Sequence, residues 1–288
     1  MKINHFPIWK LCLGLISLWT VGCELEQTLN YDLPVTPARP YITCLWGPDK
    51  ALEVYTGWTQ PLVTASPQEL DTVFVSLYKN GEKVEDLVPV DKHTWRLSTP
   101  ISPQASANYQ LRGSCKSCEE IYSDIETLPY VIPILDGQIQ IDTLEESGLT
   151  GIQFLLQMRF RDSIGGANYG GRFLFLDTDS LPLTFETSFD FPTRIPSRLA
   201  IDTLSQSQDY TVNFEPFRPF FRLDQTIGVR FYTYHLSDAT EQILLSQDEF
   251  ESTRSDYFYQ PAYVFSNITH AEGFWGMYAI DSLDVYLK

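Results

Sequence analysis

The stretch IQFLLQMRF, residues 152–160, carries the clearest structural signal in the chain. Its large apolar side chains recur at every second position: Ile152, Phe154, Leu156, Met158 and Phe160. This period of two is typical of a β-strand with one buried face. We expect the strand to end at Asp162, where a glycine-rich turn (residues 162–171) begins, and a second strand to return over Arg172–Leu176.

The same alternation, followed outward, predicts short strands along the rest of the chain. A strand over Thr72–Tyr78 precedes Asn80-Gly81, a dipeptide that favours a two-residue hairpin turn because both residues adopt positive φ easily. Further strands are predicted over residues 82–88, 95–97, 109–111, 226–235, 274–280 and 283–287. This pattern indicates a mostly β protein. We expect an immunoglobulin-like sandwich over residues 41–130 and a second β-sandwich-like domain over residues 131–288.

One short helix is expected within the second domain. Ser246 and Glu249 have the spacing of a capping box, in which each side chain bonds the other residue's backbone N–H. We therefore predict a helix near residues 247–257, ending before Pro261.

The first 23 residues have the character of a bacterial export signal. Lys2 and Lys10 accompany an apolar run, Leu11–Val21, that is shorter than the roughly 20 residues needed to cross a bilayer. The run ends at Gly22-Cys23, a pattern typical of lipoprotein cleavage, so we predict a signal peptide over residues 1–22 and lipidation of Cys23. A plain secretory peptide with an incidental cysteine is the alternative.

The residues after Cys23 predict how the protein is held. Acyl chains on Cys23 would anchor it to the outer membrane, on the periplasmic face or at the cell surface. Glu24 and Glu26 resemble signals that direct some lipoproteins to the outer face. The polar, proline-containing stretch over residues 23–40 predicts an extended tether.

The charge balance excludes several classes of partner. The chain has 37 acidic against 20 basic residues and a net charge of -17. Nucleic-acid binding needs a basic face, so we expect no nucleic-acid partner. A polybasic contact with anionic lipid is disfavoured for the same reason. We predict neither a metal nor a cofactor, since the sequence contains no clear ligand loop.

Cys115 and Cys118 have the spacing of a redox dithiol, but their surroundings favour a structural disulfide. The flanking segments read as strands, whereas activation of a thiolate uses a helix N-terminus. Glu119 and Glu120 would raise a thiol pKa rather than lower it. We therefore interpret the motif as a hairpin turn with a possible disulfide, with redox chemistry and metal binding as alternatives.

The sequence shows no recognisable active site, so we do not predict an enzyme. Histidine is scarce, at His93, His235 and His270 after the signal segment, and no pair has metal-ligand spacing. A G-x-S-x-G nucleophile motif is also missing. Carboxylate pairs of the glycosidase type remain open, because such residues can lie far apart in sequence.

Several segments together resemble a known family. They are Phe160-Arg161-Asp162 with Asn168-Tyr169, Ser246–Phe250, and Ser266-Asn267-Ile268 followed by Gly273-Phe274-Trp275-Gly276. The chain resembles the domain-of-unknown-function 4249 family of lipoproteins from Bacteroidetes-type bacteria. Between the last two motifs it has Thr269-His270-Ala271-Glu272, where the family pattern favours a more glycine-rich link. The resemblance implies no catalytic residues.

The resemblance also implies a role in nutrient uptake. Members resemble components that accompany energy-coupled (TonB-dependent type) import receptors, so we expect a binding or accessory protein with such a receptor as partner. A surface hydrolase with a scattered acidic site, or a structural or adhesion lipoprotein, is the alternative. We expect residues 266–278 to be a structural signature of the second domain, in which Asn267 ties a turn to the backbone and Trp275 is a core side chain.

Overall fold

A seven-stranded sheet takes its strands from both ends of the described chain. The computed structural model describes residues 37–59, 71–146, 149–162, 168–176, 208–213, 228–254 and 264–287. In spatial order the sheet contains β12 (Asn168–Leu176), β14 (Gly228–Leu236), β16 (Glu272–Tyr286), β1 (Pro40–Trp46), β2 (Glu53–Trp58), β6 (Thr94–Arg96) and β5 (Val88–Pro89).

Two further sheets accompany the seven-stranded one. One has the order β15 (Ile268–Thr269), β8 (Ile121–Ser123), β7 (Asn108–Ser114), β3 (Phe74–Lys79) and β4 (Glu82–Asp86), with β9 (Glu126–Thr127) also paired to β7. The other has the order β10 (Ile134–Glu146), β11 (Leu149–Asp162) and β13 (Gln208–Asn213). The predicted class, mostly β with sandwich-like layers, is confirmed.

The Asn80-Gly81 turn and the strand around Phe154 form as the sequence predicts. Asn80 and Gly81 have φ angles of 51° and 83°, and they join β3 to β4. In β11 the side chains of Phe154, Leu156, Met158 and Phe160 are all buried. Alternation therefore identified the inward face of this strand correctly.

Two large apolar cores lie between the sheets. The first contains Ile42, Trp46, Leu77, Tyr109 and other residues of β1, β2, β3, β6, β7 and β8. The second contains Phe154, Phe160, Phe175, Phe231 and other residues of β11, β12, β13 and β14. Each core is filled by the inward faces of two sheets, the arrangement of a β-sandwich.

Strand β16 joins both parts of the molecule. Its first residues pair in parallel with β1, in a register that places Trp275 opposite Cys44, and the rest of the strand pairs antiparallel with β14. Ile268, Trp275 and Met277 consequently pack in the first core. Residues 266–278 were expected to belong to the second domain. Three of them, Ile268, Trp275 and Met277, lie instead in the core of the first sandwich, because the parallel pairing with β1 brings this part of the chain there.

Close packing explains two glycines of this segment. Gly273 has a φ of 110°, and a Cβ there would lie 2.1 Å from the carbonyl oxygen of Ile42. At Gly276 a Cβ would lie 2.3 Å from Oγ1 of Thr240, on the helix that crosses this strand. Gly273 therefore allows the close backbone passage expected from the sequence, whereas Gly276 makes room for the side chain of Thr240.

The strand after the glycine-rich turn begins before the predicted start at Arg172, and it does not pair with the strand that precedes the turn. It starts at Asn168, and β12 pairs with β14 in the seven-stranded sheet, whereas β11 pairs with β10 and β13. The chain therefore changes sheets between Asp162 and Asn168. Aromatic contacts between Phe154 and Phe175, at 5.2 Å, join the two sheets across the second core.

The helix, α1 (Asp238–Arg254), begins nine residues before the predicted start at 247. Ser237 is its cap, since its Oγ accepts a hydrogen bond from the N–H of Thr240 at 3.4 Å. Ser246 lies inside the helix and donates to the carbonyl oxygen of Ile243 at 2.8 Å. The capping-box interpretation was wrong because the spacing Ser-x-x-Glu is also compatible with a helix interior. The predicted end at 257 lies outside the described residues.

Candidate functional site

A cleft of about 950 Å³ opens beside the beginning of β1. Its walls come from five places: the start of β1, the end of β2, Asp71 before β3, the β7–β8 turn and the segment from Ser266 into β16. We call it the β1 cleft and define it by Arg39, Trp58, Glu119, Ser266, His270 and Glu272. Its volume falls within the range that small-molecule sites occupy.

An ion pair joins two walls of the β1 cleft. Nη1 of Arg39 lies 3.0 Å from Oε1 of Glu272. The backbone of Arg39 is fixed as well, because its N–H donates to Oγ1 of Thr59 and its carbonyl oxygen accepts from the N–H of Thr59. The side chains of Arg39 and Glu272 are 61% and 39% exposed, so the pair contributes at most about 1 kcal/mol to stability. Its main consequence is a defined position for the guanidinium and the carboxylate.

His270 is held by contacts on both ring nitrogens. Nε2 lies 3.1 Å from Oε2 of Glu119, and Nδ1 lies 3.0 Å from the carbonyl oxygen of Glu120. The ring of Tyr122 packs edge-on against it, with centroids 5.9 Å apart. His270 also has a φ of 64°, a left-handed conformation that non-glycine residues adopt seldom. The backbone and the ring contacts therefore fix the imidazole at the cleft wall.

Apolar groups form the other part of the lining. The indole N–H of Trp58 donates to the main-chain oxygen of Asp71 at 2.7 Å, and the side chain packs against the first core. Pro40, Ile268 and Ala271 add further apolar surface. Trp58 is thus anchored on one side and borders the cleft with part of its ring.

Ser266 has an unusual position in this cleft. Its Oγ is buried, and it has no hydrogen-bond partner among the described residues. Buried hydroxyl groups nearly always have a partner, because leaving one unpaired costs free energy. Ser266 was predicted as part of the structural signature, and the structure places it on the cleft lining.

Its neighbour Asn267 has the role that the sequence predicts. Its side-chain oxygen accepts from the N–H of Trp275 at 2.8 Å, and its amide nitrogen donates to the carbonyl oxygen of Trp275, also at 2.8 Å. Both groups are buried. Asn267 therefore ties the turn before β15 to β16, and the Trp275 side chain is fully buried behind it.

Cys115 and Cys118 form a disulfide in the turn between β7 and β8, and Cys118 lines the β1 cleft. Strands β7 and β8 pair antiparallel around this turn, as the hairpin interpretation expects. Cys44 is a free, buried cysteine. Burial raises the pKa of the Cys44 thiol, which keeps it protonated and unreactive. The predicted lipidation site, Cys23, lies outside the described residues.

A second cleft, of about 600 Å³, lies where α1 begins. We call it the acidic cleft, since Asp124, Glu126 and Asp238 line it together with Gln110, Tyr122 and Phe265. Glu126 is only 8% exposed. Burial raises the pKa of its carboxyl group to about 7; a hydrogen bond from Ser237 opposes the rise, and the nearby charges of Asp124 and Asp238 add to it.

Other site chemistry is limited within the described ranges. They contain no group of three or more histidine, cysteine, aspartate or glutamate residues arranged to hold a metal ion. In the same part of the chain, no helix has the length and apolar character that a membrane crossing requires. His93 and His235 contact main-chain oxygens, of Thr56 and Tyr130 respectively.

Sequence reasoning missed most of the residues that form these clefts. Arg39 was assigned to the tether, and Trp58, Glu119 and Glu126 stood in no motif. One signal was present: Thr269–Glu272, the link that departs from the family pattern, supplies both His270 and Glu272 to the β1 cleft. The other residues come from distant segments, which the pairings of β1 with β16 and β2, and of β15 with β8, bring together.

The comparisons with known proteins add no identification. In comparisons with protein families and with curated proteins, the chain matches none.

Proposed function

We propose that the protein is a lipid-anchored binding component of the outer membrane, working alongside an energy-coupled import receptor. The position of the β1 cleft carries this proposal. Arg39, on the cleft wall, follows the predicted lipidation site Cys23 by 16 residues. An extended tether of that length reaches at most about 55 Å. A ligand in the cleft would therefore be held close to the membrane in which a receptor lies.

The geometry of the cleft favours binding over catalysis. Its hydroxyl and imidazole groups do not form a nucleophile–base pair within the described residues: both ring nitrogens of His270 contact oxygens of residues 119 and 120. Cys118 is in a disulfide. Fixed polar groups beside an apolar wall are typical of recognition sites.

Co-purification tests the proposal. An affinity-tagged chain is expressed in the organism that produces it, the outer membrane is solubilised in mild detergent, and bound proteins are identified by mass spectrometry. We expect an import receptor to co-purify with the wild-type chain from the membrane fraction. The matched control is Cys23→Ala, which should move the protein to the soluble fraction. A wild-type chain that is soluble, or that purifies from the membrane without such a receptor, contradicts the proposal.

A surface hydrolase is the second candidate, and the acidic cleft favours it. A buried carboxyl group with a pKa of about 7 can both donate and accept a proton near neutral pH. Glu126 shares its cleft with Asp124 and Asp238, which could activate water or stabilise charge. Hydrolysis of aryl glycosides or aryl esters that is lost in Glu126→Gln and kept in Asp86→Asn, on the edge strand β4 and outside the lining of the acidic cleft, would support this function over binding alone.

A further inference from the structure

We propose that the β1 cleft binds a neutral polyhydroxylated ligand, the chemistry of a sugar or a short oligosaccharide. The inference rests on the proposed binding function and specifies its ligand. It follows from three properties of the cleft: its charges, its unpaired hydroxyl group and its apolar wall.

The charges of the cleft disfavour an anionic ligand. Among the described residues, Asp71, Glu119 and Glu272 line it against one guanidinium, that of Arg39. The guanidinium already contacts Glu272, and His270 already contacts Glu119. An anion would have to compete with these carboxylates, and the net charge of -17 on the whole chain adds to the repulsion.

The arrangement of donors and acceptors favours a ligand that can both donate and accept hydrogen bonds. The Arg39–Glu272 and His270–Glu119 contacts each place a side-chain nitrogen next to a carboxylate oxygen, and both pairs lie on the walls of one cleft. A hydroxyl group donates one hydrogen bond and accepts two, so neighbouring hydroxyls suit such pairs. A simple cation needs acceptors alone, so the N–H groups of Arg39 would not take part in binding it.

Ser266 points to the same ligand chemistry. Its buried Oγ has no partner among the described residues, and the residue lines the cleft. A serine hydroxyl rotates between staggered positions, so a ligand hydroxyl in the cleft is a partner available to it. The unpaired group is then explained as part of a binding site.

Trp58 supplies the apolar wall. Its indole N–H is already bonded to Asp71, which leaves the ring as its contribution to the cleft. Sugar rings have apolar C–H faces beside their hydroxyl edges, and an aromatic ring can pack against such a face. Pro40 and Ala271 extend this surface.

Calorimetric titration with defined oligosaccharides tests the inference. The probes are four neutral hexasaccharides (maltohexaose, cellohexaose, mannohexaose and xylohexaose), the cationic hexamer of glucosamine and the anionic hexamer of galacturonate. The protein is the mature chain with Cys23 replaced by Ala. We expect at least one neutral hexasaccharide to bind, more tightly than either charged one.

Two serine variants separate binding from folding. Ser266→Ala should weaken binding of that neutral hexasaccharide by about 3- to 10-fold, the loss expected for one hydrogen bond. Its midpoint in urea should be unchanged or higher, because an unpaired buried hydroxyl is removed. The matched control is Ser282→Ala, an exposed serine on the distant half of β16, which should leave affinity and midpoint unchanged.

The possible outcomes are distinct. Absence of binding by every neutral probe, preferential binding of a charged hexasaccharide, or equal affinity of Ser266→Ala and Ser282→Ala overturns the sugar assignment. Trp58→Leu, checked for folding by its urea midpoint, should also weaken binding and provides a second measure. Failure of these titrations while an import receptor still co-purifies rejects the ligand class alone; loss of both results rejects the binding function itself.

Discussion

The two halves of β16 belong to one strand but lie in different surroundings. The first half, up to Met277, pairs in parallel with β1 and buries Trp275 completely in the first core. The second half pairs antiparallel with β14, and its residues after Ala279 are partly or fully exposed. The comparison teaches that a strand residue's contribution to the free energy of unfolding depends on what packs against its side chain. Strand pairing alone does not determine that contribution.

The largest expected effect is a difference in stability loss when a core side chain is truncated on the first or on the second half of β16. Trp275→Ala should lower the free energy of unfolding by roughly 3–5 kcal/mol, as large core truncations do. Val285→Ala, on the partly buried second half, should cost about 1 kcal/mol. Urea unfolding of both variants measures the difference, and equal losses would contradict the asymmetry.

The turn before β15 should show the next largest effect. Asn267→Ala removes both hydrogen bonds to the Trp275 backbone and leaves two buried backbone groups unpaired. We expect a loss of about 2–4 kcal/mol. The matched control is Asn213→Ala, whose side chain bonds Gln157 on an exposed strand face and should cost under about 1 kcal/mol. Urea unfolding that ranks Asn213→Ala as the more harmful change would reject this role for Asn267.

The buried carboxyl group of Glu126, on β9, should make the stability of the protein depend on pH. Burial raises the pKa of Glu126 to about 7 from its ordinary value of 4.5, so the folded protein binds this proton more tightly than the unfolded chain does. The stability associated with the protonated group is therefore complete below pH 4.5 and is lost as pH rises toward 7.

Glu126→Gln tests this pH dependence. The variant should be more stable than the wild type at pH 8 by about 3 kcal/mol and should match it at pH 4. Unfolding midpoints measured across pH 4–8 give the result. Glu82→Gln, an exposed carboxyl group on β4 outside the acidic cleft, is the matched control. A wild-type profile with no fall between pH 4.5 and 7 would show that Glu126 is not buried as described.

The smallest expected effect lies on the second half of β16. Arg230 contacts both carboxylate oxygens of Asp284, at 2.6 and 2.8 Å, and hydrogen bonding to Arg230 lowers the pKa of Asp284. Asp284→Asn should cost about 0.5–1 kcal/mol at pH 7, and this loss should shrink at high salt. A double-mutant cycle that combines Asp284→Asn with Arg230→Gln gives the interaction free energy between the two side chains. A cost as large as that of Asn267→Ala would remove the contrast between the two halves.

Local pattern predicted the fold class and several individual elements. Alternation located β3 and β11, and the Asn80-Gly81 dipeptide located the turn, because strand periodicity and turn conformation are properties of a few consecutive residues. The helix start failed because Ser246 and Glu249 have the right spacing in a helix interior too. The lipidation of Cys23 and the family resemblance stay predictions.

The candidate site was much less accessible to sequence reasoning. Ser266 was singled out for another reason, as a signature residue, and the His270–Glu272 link stood out only as a departure from a family pattern. Arg39 and Glu272 are 233 positions apart, so no local rule pairs them. The raised pKa of Glu126 likewise depends on burial beside Ser237, which its own neighbours in sequence do not reveal.

By itself, the sequence determined a mostly β chain, the inward face of its strongest strand and a strongly acidic net charge, since these follow from residue type and short-range period. Only the tertiary structure decided that β16 lies beside β1. That parallel pairing places Trp275 in the first core and brings Arg39, His270 and Glu272 into one cleft. The physical reason is that the register between distant strands depends on how the side chains of both strands pack in a shared core. The sequence of one strand alone does not determine that packing.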